Sequence, residues 1–317
     1  MSVAKASFVV PAAERAAWEE ALEHLAEDGF IVTSREVSRD GPWCVEIFGD
    51  GAREKVEAAL GEAPSWHWEE LPDIDWVAEN QRSFRPFEVG AFWVHPSHVA
   101  DGMPSGLLPL RIDAGLAFGT GTHATTRGSL TLLATIDPRE TVNSVDVGSG
   151  SGILAIAMAK LWKRPVLGGD NDAETVAVAR ENAELNGVGS LCRFVHAAGL
   201  HARELEERAP FDLVVANILA DPLTDLADSF AAAVRPGGRV LLSGLLVEQA
   251  AHILAVYARC GFAFERRLDL ETGGAWWRTL LLQRLPRQAE LPEGAALGRR
   301  EFLRDMVRRN SGPAQFV

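Results

Sequence analysis

Val145-Asp146-Val147-Gly148-Ser149-Gly150-Ser151-Gly152 is the stretch on which the fold turns. A short apolar strand pattern enters it, and the apolar helix pattern Ile153–Leu161 leaves it. Glycines at a strand-to-helix turn let the backbone approach a ligand closely, and the first N–H groups of the helix face whatever lies there. Asp170 follows roughly 20 residues on, at the end of the next strand, where a carboxylate can accept both hydroxyl hydrogens of a ribose. The glycine loop, the acidic residue and the βαβ unit that joins them point to nucleoside binding rather than to a purely structural turn.

Outward from this stretch, strand and helix patterns alternate. Strands are expected over Val142–Val147, Pro165–Gly169, Cys192–His196, Leu213–Asn217, Gly238–Ser243, Phe262–Leu268 and Ala275–Leu282. Such alternation predicts an α/β fold, a doubly wound Rossmann-like sheet with crossover helices. The helix after Asp170 begins near Asp172 and ends at Asn186-Gly187. Its Val176, Ala179 and Ala183 read as a core stripe, and Asn182 and Asn186 as exposed or capping residues. The glycine spacing is G-x-G-x-G, and Ile153 stands where a dinucleotide loop needs its last glycine. With Asp146 ahead of it, the spacing is similar to that of class I methyltransferases, which implies S-adenosylmethionine as cofactor. A nicotinamide-dependent oxidoreductase is the alternative enzyme class.

Residues 1–70 read differently, as strand, helix, strand, strand, helix, strand, the order of a ferredoxin-like α+β domain. Strands are expected at Ser7–Val10, Phe30–Val37, Trp43–Phe48 and Ser65–Glu69. The helices are one opened by Pro11 and stopped by Gly29, with Ala17, Trp18, Ala21, Leu22 and Leu25 at helical spacing, and one over Ala52–Leu60. Residues 71–105, rich in Pro, Trp and Phe, read as a linker helix (Asp73–Gln81) and short strands that lead into a catalytic domain over 106–285. Residues 286–317 form a C-terminal extension whose basic amphipathic stretch, including Arg299, Phe302 and Arg308, reads as a peripheral helix with a frayed end.

Bulk properties narrow the function. A net charge of −13 repels phosphate and disfavours direct nucleic-acid binding. No apolar run reaches the ~18 residues of a membrane span, and the N-terminus lacks the core of a secretory signal. Cys44, Cys192 and Cys260 are odd in number and far apart, which fits neither a disulfide framework nor a cysteine metal site. The histidines form no metal-ligand pattern either, so no metal is expected. A cytoplasmic monomer is the default expectation.

Three segments carry a closer resemblance. Asp113-Ala114-Gly115-Leu116-Ala117-Phe118-Gly119-Thr120-Gly121-Thr122-His123-Ala124-Thr125-Thr126, the glycine loop Asp146–Ala155, and Asp212-Leu213-Val214-Val215-Ala216-Asn217-Ile218-Leu219-Ala220-Asp221-Pro222-Leu223 resemble, in order and spacing, segments of ribosomal protein L11 methyltransferases. The match runs from about residue 70 to 284. It departs where the family often has proline (Ala114, Ala124), cysteine (Ser149) and isoleucine (Asn171). The resemblance implies a class I methyltransferase sheet and trimethylation of the N-terminal α-amine and lysine side chains of ribosomal protein L11. It implies also that the ferredoxin-like domain binds that partner. Carried onto this chain, the cofactor residues are Thr126, Gly148, Asp170 and Asn217, with Gly150 and Gly152 completing the loop.

The chemistry expected is in-line displacement by a neutral amine, so the protein mainly supplies alignment and a deprotonated nucleophile. Asn217, at a strand's carboxyl end, is placed to accept the amine's hydrogens and aim its lone pair. Ile218 and Leu219 replace the Asn-Pro-Pro-Tyr continuation that stacks planar amides and bases, which disfavours those substrates. Phe118 is a candidate for packing near the methyl group, with simple core packing as the alternative. His123, isolated near a helix start, reads as a cap or packing residue, with general base as the alternative. Competing with methylation of L11 are methylation of another protein's lysine by an enzyme of the same build, and a cofactor-binding module without catalysis.

Overall fold

The computed structural model describes residues 4–22, 25, 30–37, 41–49, 53–60, 66–70, 85–99, 102–113 and 121–286. The expected linker helix, the Gly29 stop, Phe118 and almost all of the C-terminal extension lie outside these residues. The chain divides into two compact units, 1–79 and 80–317.

In the first unit, β1 (Ala4–Val10), α1 (Arg15–Leu22), β2 (Ile31–Glu36), β3 (Trp43–Gly49), α2 (Arg53–Leu60) and β4 (His67–Glu70) follow one another. The strands form one antiparallel sheet in the order β2-β3-β1-β4, the ferredoxin-like arrangement. β1 alternates strictly: Ala4, Ala6, Phe8 and Val10 are buried, and the last three meet Leu22, Leu25, Val45, Ile47 and Val56 in one core. It runs three residues further back than its apolar pattern suggested, because β3 and β4 pair with it on both sides. The stripe on α1 is narrower than expected. Trp18, edge-on to Phe8 at 5.0 Å, and Leu22 face the sheet, whereas Ala17 and Ala21 are exposed. Alanine at the border of a stripe is too short to reach the core.

The second unit opens with a three-stranded sheet, β5 (Phe87–Val89), β6 (Phe92–His95) and β7 (Leu108–Arg111). The domain boundary expected at 105/106 falls inside this sheet, because β7 pairs in parallel with β6. Proline, glycine and short strands hid that pairing from the sequence. Phe92, Val94, Leu110 and Ile112 are buried in the main core. Asn186 holds β7 in place: its Oδ1 accepts from Arg111 N at 2.9 Å and its Nδ2 donates to Arg111 O at 2.7 Å.

Then come α3 (Ala124–Leu133), β8 (Ser144–Val147), α4 (Ile153–Trp162), β9 (Val166–Asp170), α5 (Ala173–Leu185), β10 (Cys192–His196), α6 (Arg203–Glu206), β11 (Phe211–Asn217), α7 (Ala220–Asp225), α8 (Ala227–Ala233), β12 (Val234–Leu246), α9 (Ala250–Arg259), β13 (Phe262–Thr272) and β14 (Ala275–Arg284). They build a seven-stranded sheet in the order β10-β9-β8-β11-β12-β14-β13. All neighbours are parallel except those of β14, which runs against both β12 and β13. Alternate strand residues feed two cores. Leu213, Val215, Leu241 and Leu281 join α3, α4 and α5 on one face; Val214, Ala216, Val240 and Leu280 join Leu223, Phe230 and Ile253 on the other. This is the class I methyltransferase sheet, doubly wound, and its strand order reverses between β8 and β11. Ligands of open α/β sheets bind at that switch point, beyond the carboxyl ends of the strands.

β12 is longer than its apolar run implied. The turn signal Pro236-Gly237-Gly238 is a bulge within it, where Phe211 and Leu213 of β11 face Val234 and Arg239. A second irregularity, in the pairing with β14, lies between Leu242 and Leu245 and takes in Ser243 and Gly244. No helix among the described residues is long and apolar enough to cross a membrane.

Candidate functional site

Strand β8 ends in the glycine loop. Gly148, Gly150 and Gly152 have φ of +70°, +52° and +79°, the left-handed region in which a side chain is strained. A Cβ on Gly148 would overlap the Ile218 side chain; one on Gly152 would stand 2.9 Å from the Phe194 ring. The loop is tied down on both sides. Gly148 N and Ser149 N donate to Gly169 O at 2.8 and 3.0 Å, and Gly152 N to Ser149 O at 2.8 Å. The buried Asn182 Nδ2 donates to Ser151 O at 2.8 Å.

Asp170 closes the turn at the end of β9. Its carboxylate accepts from Gly150 N at 2.8 Å and from Asp172 N at 3.2 Å. Asp172 itself caps α5 by accepting from Glu174 N. Thus the acidic residue and the glycine loop, separate in sequence, are joined directly.

Asp146 sits beneath the loop, fully buried. One oxygen accepts from Ala155 N at 3.1 Å; the other has no partner among the described residues. Burial pushes its carboxyl up to about 7, the Ala155 bond opposes this, and the Asp170 charge adds to it. The folded cofactor-free protein therefore keeps a proton that the unfolded chain releases near its ordinary value of 3.8. The stabilisation this gives is complete below that value and is lost as pH rises through about 7. The stability difference between Asp146→Asn and the parent should accordingly grow in favour of the variant from pH 5 to pH 8, read by urea unfolding. A gap that does not change with pH would refute the protonated state.

Asn217, the last residue of β11, donates from Nδ2 to Thr126 Oγ1 at 3.2 Å. Its Oδ1 is buried and unpartnered among the described residues. Thr126 is itself buried, in the first turn of α3. So residues 91 positions apart meet at the carboxyl end of the sheet. His123 is the N-cap of α3, its Nδ1 accepting from Thr125 N at 3.4 Å. Burial lowers its pKa, which favours the neutral, accepting ring. It lies edge-on to Trp277, ring centroids 4.7 Å apart. Trp277 Nε1 is buried, also without a partner among the described residues. A surface cavity of about 360 Å³, lined by Arg180, Glu184, Cys192, Arg193 and Glu204 among others, opens along the edge strand β10. It includes none of Thr126, Asp146, Gly148, Gly150, Gly152, Asp170 and Asn217.

Comparison with known proteins follows the same lines. The family model for ribosomal protein L11 methyltransferase (PrmA) matches residues 48–283. The chain belongs to that family. The ribosomal protein L11 methyltransferase of Rhodopseudomonas palustris (strain BisB5) is 41% identical over 290 residues, 88% of this chain and 96% of the relative. That of Brucella abortus (strain S19) is 40% identical over 258 residues, 80% and 90% of the two chains. The crystal structure of a ribosomal protein L11 methylase from Lactobacillus delbrueckii subsp. bulgaricus, 31% identical, superposes with a TM-score of 0.55 over 64% of this chain and all of the other.

Within this L11 methyltransferase sheet, Thr126, Gly148, Gly150, Gly152, Asp170 and Asn217 gather at the carboxyl ends of β8, β9 and β11. Three participants escaped the sequence reading. Asn182, expected to be exposed or a cap, is a buried brace of the loop; its i+3 spacing from Ala179 was the signal for an inward position. Ser243, in register with Asn217 and donating from Oγ to Thr125 O at 3.0 Å, and Trp277, beside His123, have nothing in their local sequence to mark them.

Proposed function

We propose that the protein transfers methyl groups from S-adenosylmethionine to amino groups of ribosomal protein L11, the N-terminal α-amine and lysine side chains, and that Asn217 receives the amine. Membership of the family supports the reaction and the substrate. The observation that carries the role of Asn217 is its divided amide: the donor end is committed to Thr126, and the acceptor end is buried and open.

The residues present suit the cofactor. The loop Gly148–Gly152 admits a ligand against bare backbone, and Asp170 is held at its edge with lone pairs to spare for ribose hydroxyls. Buried Asp146 Oδ1 and Ser149 Oγ are polar atoms still in want of partners among the described residues. When bound, the cofactor supplies a methyl group on a positively charged sulfur, with a neutral thioether as leaving group.

The remaining work falls to the chain. An α-amine, of ordinary pKa ~7.7–8.0, is partly neutral at pH 7, whereas a lysine amine, ~10.4, must be desolvated to lose its proton. Half-buried Ile218 and 70%-exposed Leu219 follow Asn217 and offer apolar cover for that step. Asn217 Oδ1 accepts an amine hydrogen and so turns the lone pair away from itself, toward the methyl carbon. As the amine gains positive charge during attack, that acceptor binds it more strongly, and this difference accelerates the step. Phe118 is retained as the residue packing near the methyl group, and binding of the substrate protein is assigned to the amino-terminal unit. A ribosomal protein as substrate supports action in the cytoplasm, without direct contact to nucleic acid or membrane.

The test is incubation with radiolabelled S-adenosylmethionine and dissociated ribosomal proteins, with mass spectrometry of the labelled band. L11 should carry the label; another band would overturn the substrate. In parallel, Asp170→Ala is expected to weaken cofactor binding at least about tenfold, since a hydrogen bond to a charged group contributes ~1.5–3 kcal/mol. Unaltered affinity by calorimetry would remove Asp170 from the site.

A further inference from the structure

Helix α3 meets the sheet through hydroxyl groups. Ser243 of β12, fully buried, lies in register with Asn217 of β11. Its Oγ donates to the carbonyl oxygen of Thr125 at 3.0 Å, and stands 2.9 Å from Thr279 Oγ1 of β14, also buried. Proton counting sets the direction of this chain. A carbonyl cannot donate, so the single hydroxyl proton of Ser243 is spent on Thr125. Between the two hydroxyls, Thr279 must therefore be the donor. The sequence Thr279 to Ser243 to Thr125 ends one residue before Thr126, whose Oγ1 accepts from Asn217.

A second feature points to the same contact. Gly128 lies inside α3, where glycine costs about 1 kcal/mol relative to alanine. A Cβ at that position would overlap Thr279 Oγ1. The helix thus carries a glycine where a Cβ would meet the Thr279 hydroxyl.

We propose that Ser243 and Thr279 are positioning residues for methyl transfer, holding the first turn of α3 so that Thr126 Oγ1 stays within hydrogen-bond reach of the Asn217 amide and steadies that side chain. The inference rests on Asn217 receiving the amine. Its chemical point is the place of the acceptor. The Thr126 hydroxyl can accept from the amide or donate to it, so what it holds is the position of the side chain. An Asn217 carbonyl displaced from the amine no longer aims the lone pair that has to attack. The Asn217–Thr126 bond, at 3.2 Å, is already at the long end of the ordinary range. A displacement of the helix turn by a few tenths of an ångström would release it.

Thr279→Val keeps the outline of the side chain and removes the hydroxyl, donor and acceptor alike; Thr279→Ser restores it. The valine variant should lose about tenfold in kcat, with KM for L11 and the dissociation constant for S-adenosylmethionine within about twofold of the parent, and serine should recover most of the loss. In protein labelled with 15N-asparagine, the Asn217 side-chain amide pair should broaden or double in Thr279→Val and sharpen again in Thr279→Ser. On a Thr126→Val background, Thr279→Val should cost little more, since both act through one contact. An unchanged kcat in Thr279→Val, a loss that serine does not repair, or cofactor affinity falling in step with kcat would overturn the proposal. Asn217→Ala assayed beside these variants separates the two ideas: full activity there defeats the Asn217 reading itself, whereas a loss there and none in Thr279→Val defeats only the positioning.

Discussion

Asn217→Ala is expected to lower kcat about 100-fold, the scale seen when one preorganised hydrogen bond to developing charge is removed. The loss should fall on kcat far more than on cofactor affinity, because Asp170 and the glycine loop do not depend on Asn217 for their bonds. Asn217→Asp sharpens the test. It keeps an acceptor and lets the Thr126 hydroxyl turn round to donate, so local packing survives. It also sets a negative charge beside the amine, which favours the protonated, non-nucleophilic form. The pH–rate profile should therefore move to higher pH, with part of the rate regained in alkali. An alanine variant within about threefold of the parent kcat would remove Asn217 from the reaction.

Gly244→Ala is expected to be the most damaging single-methyl change near the site. Gly244 has φ +86°, and a Cβ there would overlap the backbone carbonyl of Ile218. Neither problem can be relieved by turning a side chain. The left-handed conformation alone costs an alanine about 1–2 kcal/mol, and the overlap must push β12 away from the chain that follows Asn217. Ile218 is confined from the other side too, since Gly148 leaves no room for a Cβ against its side chain. The backbone after Asn217 thus passes between two glycines. Gly273→Ala is the control: φ is +61°, but nothing lies within 4 Å of the added atom. It should lose only the conformational part of the stability and keep its activity, whereas Gly244→Ala should unfold at clearly lower denaturant and lose kcat at least about tenfold. Equal behaviour of the two variants would show that the close approach to Ile218 is without consequence.

Much of this site could be read from the chain alone where the signal is local. The glycine loop, Asp170 at a strand end and the α5 caps at Asp172 and Asn186 each express a conformational need of a few adjacent residues. The strand expected at Cys192–His196 is found with those bounds, between turns that carry Gly189 and Gly199. Difficulty arose where neighbours in space, not in sequence, decide. Gly238 reads as the start of a strand, yet β12 already pairs with β11 at Val234, before the turn Pro236-Gly237-Gly238. Short β7 has little pattern of its own and is a strand because β6 lies alongside. Asn182 looked like surface because asparagine is polar; it is inside because Ser151 O needs a donor.

The chain alone carried the alternation of strand and helix around the glycine loop, the core stripe Val176, Ala179 and Ala183, and turns where glycine fits, because side-chain periodicity and backbone sterics act over a few residues. Through its long motifs it also carried the family. Tertiary structure alone decided the partners: that β14 lies between β12 and β13, that Thr126 reaches Asn217, and that Thr279 and Ser243 reach Thr125. Those contacts join residues tens of positions apart. They exist because the sheet must bury both faces at once, and that requirement belongs to no local stretch of the chain.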